Sequence, residues 1–339
     1  MADLTTQVVA ARVFAERKMP EYLERLALLV SIDSGPDSEE GRNRTATVLG
    51  EWLKAAGCEV ELMRLPGGLH LVASLKGNGH GRITLVGHHD TVFPLGEARE
   101  RPLRVDDGVA YGPGVADMKG GLLVGVQAIE ALSRGPRSFA RVELHSVPNE
   151  ETRLSPFSTI DRVRGSSAAL VLECGRVNGD VVVARKAGTW IELTTTGRSA
   201  HAGTEPELGR SAINAICAEV LRCDALSGSR PDLSVITGTI AGGTVANVVP
   251  DTASAVIDVR ALTEEDMEWA RAAISRTGTH DGVSIAVDAV SGWPAMESDA
   301  AAKELFERAR HVSCMLGQDL RGQRSGGMSD GCFTSDVGV

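Results

Sequence analysis

The sequence has no C-x-x-C motif: its six cysteines, Cys58, Cys174, Cys217, Cys223, Cys314 and Cys332, are scattered along the chain. That distribution argues against a disulfide scaffold and against a thiolate zinc finger, and it fits a reducing cytoplasm. No apolar run reaches the length of a membrane span. The first thirty residues, "MADLTTQVVAARVFAERKMPEYLERLALLV", carry charges throughout and lack the apolar core and small-residue cleavage site of a signal peptide. They predict an amphipathic helix instead. Basic stripes are missing too. With a formal net charge of -10 and a pI near 5.4, the chain offers little to neutralise phosphates, so neither nucleic acid nor an anionic membrane is expected as a partner. There is no G-x-x-x-x-G-K-[ST] loop and no G-x-G-x-x-G after the first strand, which argues against a nucleotide-dependent enzyme. Internal repeats and low-complexity linkers are also absent.

At 339 residues, 42% hydrophobic and 24% charged, the chain has enough apolar material for about two domains. From residue 20 to about 175, helical stretches such as "NRTATVLGEWLKAAG" and "GGLLVGVQAIEALS" alternate with short apolar runs, "EVELMRL", "LHLVASL", "RITLVG", "RVELHSV" and "AALVLEC". Runs such as "ITLV" and "ALVL" are continuously apolar, as expected of strands covered by helices on both faces. This is α/β texture, in which functional residues gather where strands end.

Near residue 187 the texture changes. "TWIELTTTGRSAHAG" and "TASAVIDVRAL" alternate with period two, predicting strands with one solvated face. Between them, Ile213, Ile216, Cys217, Val220 and Leu221 fall on one helical stripe. Residues 187–288 therefore read as an α+β domain inserted into a discontinuous first domain, 1–186 and 289–339.

Four strand ends or turns carry chemistry. "LVGHHDTV" (85–92) ends an apolar strand on His88, His89 and Asp90. Positions 88 and 90 share a face, so Asp90 can accept from one ring nitrogen of His88 and fix the tautomer that binds metal through the other. "AYGPGVADMKGG" (110–121) delivers Asp117 to the start of a helix, where it serves as a cap or as a ligand. "LVLECG" (170–175) ends on Glu173, and "VPNEE" (147–151) ends on the adjacent carboxylates Glu150 and Glu151. Neighbouring acids at the end of a buried strand call for a positive partner. Imidazole and carboxylates together make a ligand set that suits zinc.

"GHHDTV", "YGPGVADMKGG", "PNEE", "LECG", "GRSAHAG", "GGTVANVVP", "VIDVRAL" and "SGGMSDG" occur in order over nearly the whole chain. Together they resemble the two-zinc hydrolases that include glutamate carboxypeptidase of the carboxypeptidase G type, aminoacylase, acetylornithine deacetylase and succinyl-diaminopimelate desuccinylase. The resemblance implies an α/β, zinc-exopeptidase-like catalytic domain with a mixed, mostly parallel sheet, plus an inserted α+β lid that forms a homodimer. It implies hydrolysis of an amide bond in a small peptide or N-acyl amino acid bearing a free carboxylate.

By the same resemblance, Asp117 bridges two zinc ions, for which cobalt or manganese substitute; His88 and Glu173 complete one site and Glu151 belongs to the other. Glu150 is then the general base, taking a proton from water and returning it to the leaving amine. Asp90 orients His88. His201 stabilises the oxyanion in the partner subunit's site, Asn247 supports that pocket, and the fork of Arg260 receives the substrate carboxylate. A cis peptide is expected after Asp117. Relatives supply a further zinc-ligand histidine beyond "GG-x-SD", and neither His280 nor His311 stands in its place, so truncation and an incomplete second site are expectations too. They keep open a second reading, a dimeric peptide- or metabolite-binding protein without turnover.

Overall fold

The computed structural model describes residues 4–289 and 292–339, and the chain divides into two compact units. The first comprises Met1–Val183, Ser298–Arg324 and Ser329–Val339; the second comprises Ala184–Glu297 and Ser325–Met328. Residues 1–3, 290 and 291 of the expected catalytic domain lie outside the described residues. The second unit extends past the expected 288, because Trp293 bridges Gly188 through two backbone hydrogen bonds of 2.8 and 2.9 Å.

In the first unit the strands are β1 (Glu59–Leu65), β2 (Gly68–Lys76), β3 (Arg82–His88), β4 (Arg104–Asp106), β5 (Val109–Tyr111), β6 (Arg141–Val147) and β7 (Ala168–Val171). The main sheet has the order β1-β2-β6-β3-β7. Its β6–β3 and β3–β7 pairings are parallel, whereas β1–β2 and β2–β6 are antiparallel. The sheet is thus mixed in equal parts rather than mostly parallel. The cause is local: Leu65 pairs with Gly68 across a two-residue turn, where Gly67 takes φ +94°, and such a hairpin can only be antiparallel.

Helices α1 (Leu4–Val30), α2 (Glu39–Ala55), α3 (Glu97–Glu100) and α4 (Gly120–Arg134) belong to the same unit. Ser38 caps α2 by accepting from the N–H of Gly41. Leu29 of α1, Leu49 of α2, Leu71 of β2, Val126 of α4 and Leu85 of β3 share one core. On the other side of β3, Val86 packs with Val147, Phe157 and Val163. Covered on both faces, β3 has no solvated side to mark with polar residues, which is why it reads as a continuous apolar run. Because β6, β3 and β7 are neighbours running in parallel, their C-terminal ends lie along one edge of the sheet.

The second unit holds β9 (Ala187–Thr196), β10 (Ser234–Gly242), β11 (Thr252–Ala261) and β12 (Ser284–Ala289), after β8 (Val181–Arg185) at its entry. They form an antiparallel sheet in the order β10-β11-β9-β12. Helices α5 (Ala212–Asp224) and α6 (Glu264–Ser275) pack with the alternately buried residues of β11, among them Ala255, Ile257 and Val259. The buried stripe of α5 differs from the expected one: Ala212, Ala215, Ile216, Glu219 and Cys223 face inward, while Cys217 is exposed and Leu221 is 72% exposed. The inward-facing Glu219 explains the rotation. It accepts from Gly278 N (2.7 Å), Arg222 (2.7 Å) and His280 (2.8 Å), and a carboxylate so satisfied can be buried. The remaining helices are α7 (Ala300–Met315) and α8 (Asp330–Asp336), with β13 (Gly322–Ser325) between them.

Candidate metal centre

Three of the expected chemical groups converge at the sheet edge where β3 and β7 end. His88, the last residue of β3, is 1% exposed, and its Nε2 lies 3.0 Å from Oδ1 of Asp117 and 3.7 Å from Oε1 of Glu173. One ligand atom from each of His88, Asp117 and Glu173 lies within 4.8 Å of the others. Asp117 reaches this point from the turn ahead of α4, through a cis Asp117–Met118 peptide. A Cβ on Gly87 would meet Cε of Met118 at 2.8 Å and Cδ2 of Leu122 at 2.9 Å, so a larger residue at that position of β3 would make these side chains shift.

The other ring nitrogen of His88, Nδ1, lies 3.3 Å from Oδ1 of Asp90 and 3.1 Å from its carbonyl oxygen. Burial acts to lower the His88 ring, but its hydrogen bonds to Asp117 and Asp90 prevail and raise it well above its usual value; with a metal at Nε2, the contact of Nδ1 with Asp90 would hold the ligating tautomer. Asp90 also organises the neighbouring turn: Oδ1 accepts from the N–H of Glu150 and Oδ2 from that of Glu151, both at 3.1 Å. Burial acts to raise the Asp90 carboxyl, but the hydrogen bond and charge of His88 prevail and hold it low. His89 points elsewhere. Its Nδ1 lies 2.9 Å from Oγ of Ser146, and burial lowers the ring to about 3, so it stays neutral.

Glu150 and Glu151 form a single 3-10 turn, Glu150–Thr152, directly after β6. Burial pushes both carboxyls up to about 7, with Glu173 adding to the effect on Glu150 and Asp117 and Asp90 to that on Glu151. A carboxylate poised there can exchange a proton near neutral pH. The donor set fits a divalent cation. One imidazole and several carboxylates are nitrogen and oxygen donors of the kind zinc takes.

Three further side chains escaped the sequence reading. Lys119 is 1% exposed and donates to the carbonyls of Leu29 (2.9 Å) and Ile32 (2.8 Å), tying the turn after Asp117 to the end of α1; burial lowers its amine to about 8. Arg153, 7% exposed, makes an ion pair with Asp330, 2% exposed. A lysine inside "DMKGG" and an arginine directly after "NEET" were legible only as surface charges, since nothing in the local pattern marks them as buried.

The second unit brings two expected residues together. His201 forms a bridge with Val248, and Ala202 N donates to Asn247 O at 3.0 Å. The Nδ1 of His201 accepts from Gly203 N (3.1 Å) and Thr204 N (3.2 Å), which leaves the proton on Nε2 and makes that atom a donor. Arg260 lies on β11. Its Nε and Nη2 bind both carboxylate oxygens of Asp258, at 2.7 and 2.8 Å, so this edge of the fork is engaged within the chain.

Residues 183–277 match the family model M20_dimer, described as the peptidase dimerisation domain. Carboxypeptidase G2 from Pseudomonas sp. (strain RS-16) is 26% identical, over 98% of this chain and 86% of its own. Acetylornithine deacetylase from Vibrio atlanticus (strain LGP32) is 29% identical, over 60% of this chain and 55% of its own. Among solved structures, aminopeptidase PepT from Bacillus cereus superposes with a TM-score of 0.76 at 24% identity, covering 94% of this chain and 87% of that one. The metallo-carboxypeptidase Sso-CP2 from Sulfolobus solfataricus gives 0.72 at 15%, covering 94% and 89%. Fold and site define a metallo-hydrolase with a catalytic unit and an inserted dimerisation domain. These similarities are to peptidases and deacylases of the M20 family, in sequence along most of the chain and in fold.

Proposed function

We propose that the protein is a zinc-dependent amide hydrolase acting on a small peptide or N-acyl amino acid with a free carboxylate. The observation that carries this reading is the convergence of His88, Asp117 and Glu173 within 4.8 Å at the sheet edge on which the turn of Glu150 and Glu151 also stands. Similarity to carboxypeptidase G2 along 98% of the chain favours the carboxypeptidase branch.

His88, Asp117, Glu173 and Glu151 would hold the zinc. Zinc held there would supply a Lewis acid and lower the pKa of water toward about 7. Asp90 keeps His88 in the ligating tautomer and sets the turn of Glu150. Glu150, raised to about 7, accepts a proton from the attacking water and hands it to the departing amine nitrogen. The Nε2–H of His201 donates to the oxyanion in the partner subunit's site, with Asn247 beside it, and Arg260 binds the substrate carboxylate.

A homodimer through the second unit accords with the match to a dimerisation domain. It also accounts for apolar residues on that unit's surface: Leu221 is 72% exposed on α5, and Ile236 and Ile240 are 52% and 51% exposed on the edge strand β10. No helix among the described residues is long and apolar enough to cross a membrane. That the six cysteines form no disulfide accords with work in the cytoplasm.

The test combines zinc per chain, by elemental mass spectrometry, with amine release from N-acetyl amino acids and dipeptides ending in glutamate. The reading expects retained zinc and hydrolysis that stops with chelator and returns with zinc. Hydrolysis indifferent to chelation, or no retained metal and no turnover, overturns it.

A further inference from the structure

The turn that carries Glu150 and Glu151 is held from two sides. Asp90 holds the amides at its start. At its end stands Arg153, whose N–H closes the turn on the carbonyl of Asn149 at 3.2 Å. The guanidinium of Arg153 is 7% exposed. It forms an ion pair with Asp330, 177 residues further along, donates to the carbonyl of Ser155, and lies over the rings of Phe157 and Phe333 at 5.6 and 5.5 Å. Asp330 opens α8, where Ser329 caps the helix by accepting from Gly331 N at 3.2 Å.

A buried ion pair is a poor staple. Two charges must be stripped of water, and apolar residues of the same volume hold two segments together as well or better. This pair also stands on the turn of two carboxylates, and Arg153 feels the charges of Glu150 and Asp90. A guanidinium there with no fixed partner would be drawn to Glu150 and Glu151, the groups that must stay open to metal and to proton transfer.

We propose that Asp330 and Arg153 are a positioning pair: Asp330 commits the guanidinium to itself, and the guanidinium so anchored fixes the Glu150–Thr152 turn beside His88, Asp117 and Glu173. This rests on the reading of that cluster as a metal centre. It assigns a role to "SGGMSDG", whose aspartate lies far away in sequence and contributes no ligand.

Binding of Co2+ alone, followed by its visible absorption and by equilibrium dialysis, tests the pair without any substrate. In Arg153→Met/Asp330→Leu both charges leave together, so net charge is unchanged and the thermal midpoint should stay close to that of the wild type. Its Co2+ affinity should nevertheless fall at least about tenfold, the scale on which groups supporting metal ligands act, with an altered spectrum. Asp330→Asn, which frees Arg153, should lower Co2+ affinity as well, and Arg153→Lys, which keeps the charge and loses the fork, should fall between. Wild-type affinity and spectrum in the double variant overturn the proposal and leave the metal centre standing; if that variant does not fold, the same result in Asp330→Asn overturns it. A wild-type chain that binds no Co2+ overturns the metal reading, and this inference with it.

Discussion

The Oδ1 atom of Asp90 lies 3.1 Å from the amide nitrogen of Glu150 while also facing Nδ1 of His88 at 3.3 Å. One carboxylate thus touches both an expected zinc ligand and the turn of the expected base. Asp90→Ala should lower zinc affinity about 10- to 100-fold and reduce turnover more than affinity alone explains, because two functions are lost at once. Competition for zinc against a chelator of known affinity, together with kcat at saturating zinc, measures the two separately. Unchanged affinity would show that Asp90 does not orient His88.

Glu150→Gln keeps the shape of the turn and removes the ability to take a proton. The amide hydrogen bond to Asp90 comes from the backbone and survives. Hydrolysis should fall by about 10²- to 10⁴-fold while zinc per chain stays constant. Turnover at the wild-type rate would move the base assignment to another residue.

How far the site could be read from the sequence depended on where each group's constraint lies. His88, Glu150, Glu151 and Glu173 stand at or just past the ends of parallel strands, and the apolar runs before them marked those ends. Asp117 was legible from the glycine-rich turn ahead of α4. Arg153 and Asp330 were not, because a contact over 177 residues leaves no local period. The inward face of α5 was misread for a related reason: Glu219 is buried by partners 59 and 61 residues away, Gly278 and His280, and no helical pattern predicts a buried acid. In the main sheet, the continuous run of β3 did reflect burial on both faces, whereas that of β7, at the edge of the sheet, leaves Leu170 43% exposed; strand direction followed from the β1–β2 hairpin, a property of its turn rather than of hydrophobicity.

Acid stability should report His145. It is buried in β6 with Nδ1 3.0 Å from Oγ1 of Thr159, and burial, with the charges of Arg162 and Arg82, lowers it to about 3. Unfolded, it titrates near 6.5, so between pH 6.5 and about 3 the unfolded chain binds a proton that the native chain refuses. Stability is therefore lost as pH falls through that window, and above it His145 contributes no slope. In His145→Gln the dependence of unfolding free energy on pH should flatten by up to about 1.4 kcal/mol per pH unit, read from denaturant titrations at pH 4, 5 and 6. Parallel curves for the two proteins would contradict a neutral buried His145.

His201 offers the sharpest test of a site shared between subunits. Its Nδ1 is taken up by two backbone amides, so only Nε2–H is left to donate, and His201→Ala should lose the oxyanion contact, about 10²- to 10³-fold in kcat, while zinc content stays unchanged. If that donor serves the partner's site, an inactive His201→Ala chain and an inactive Glu150→Gln chain complement each other. In a mixed dimer, one of the two sites combines an intact Glu150 with an intact His201. Random exchange makes half of the dimers mixed, each with one working site, so an equimolar mixture should recover about a quarter of wild-type activity. Recovery should follow the rate of subunit exchange, measured by native mass spectrometry on chains of different isotopic mass. Mixed dimers that form without any return of activity would place His201 in the service of its own chain's site.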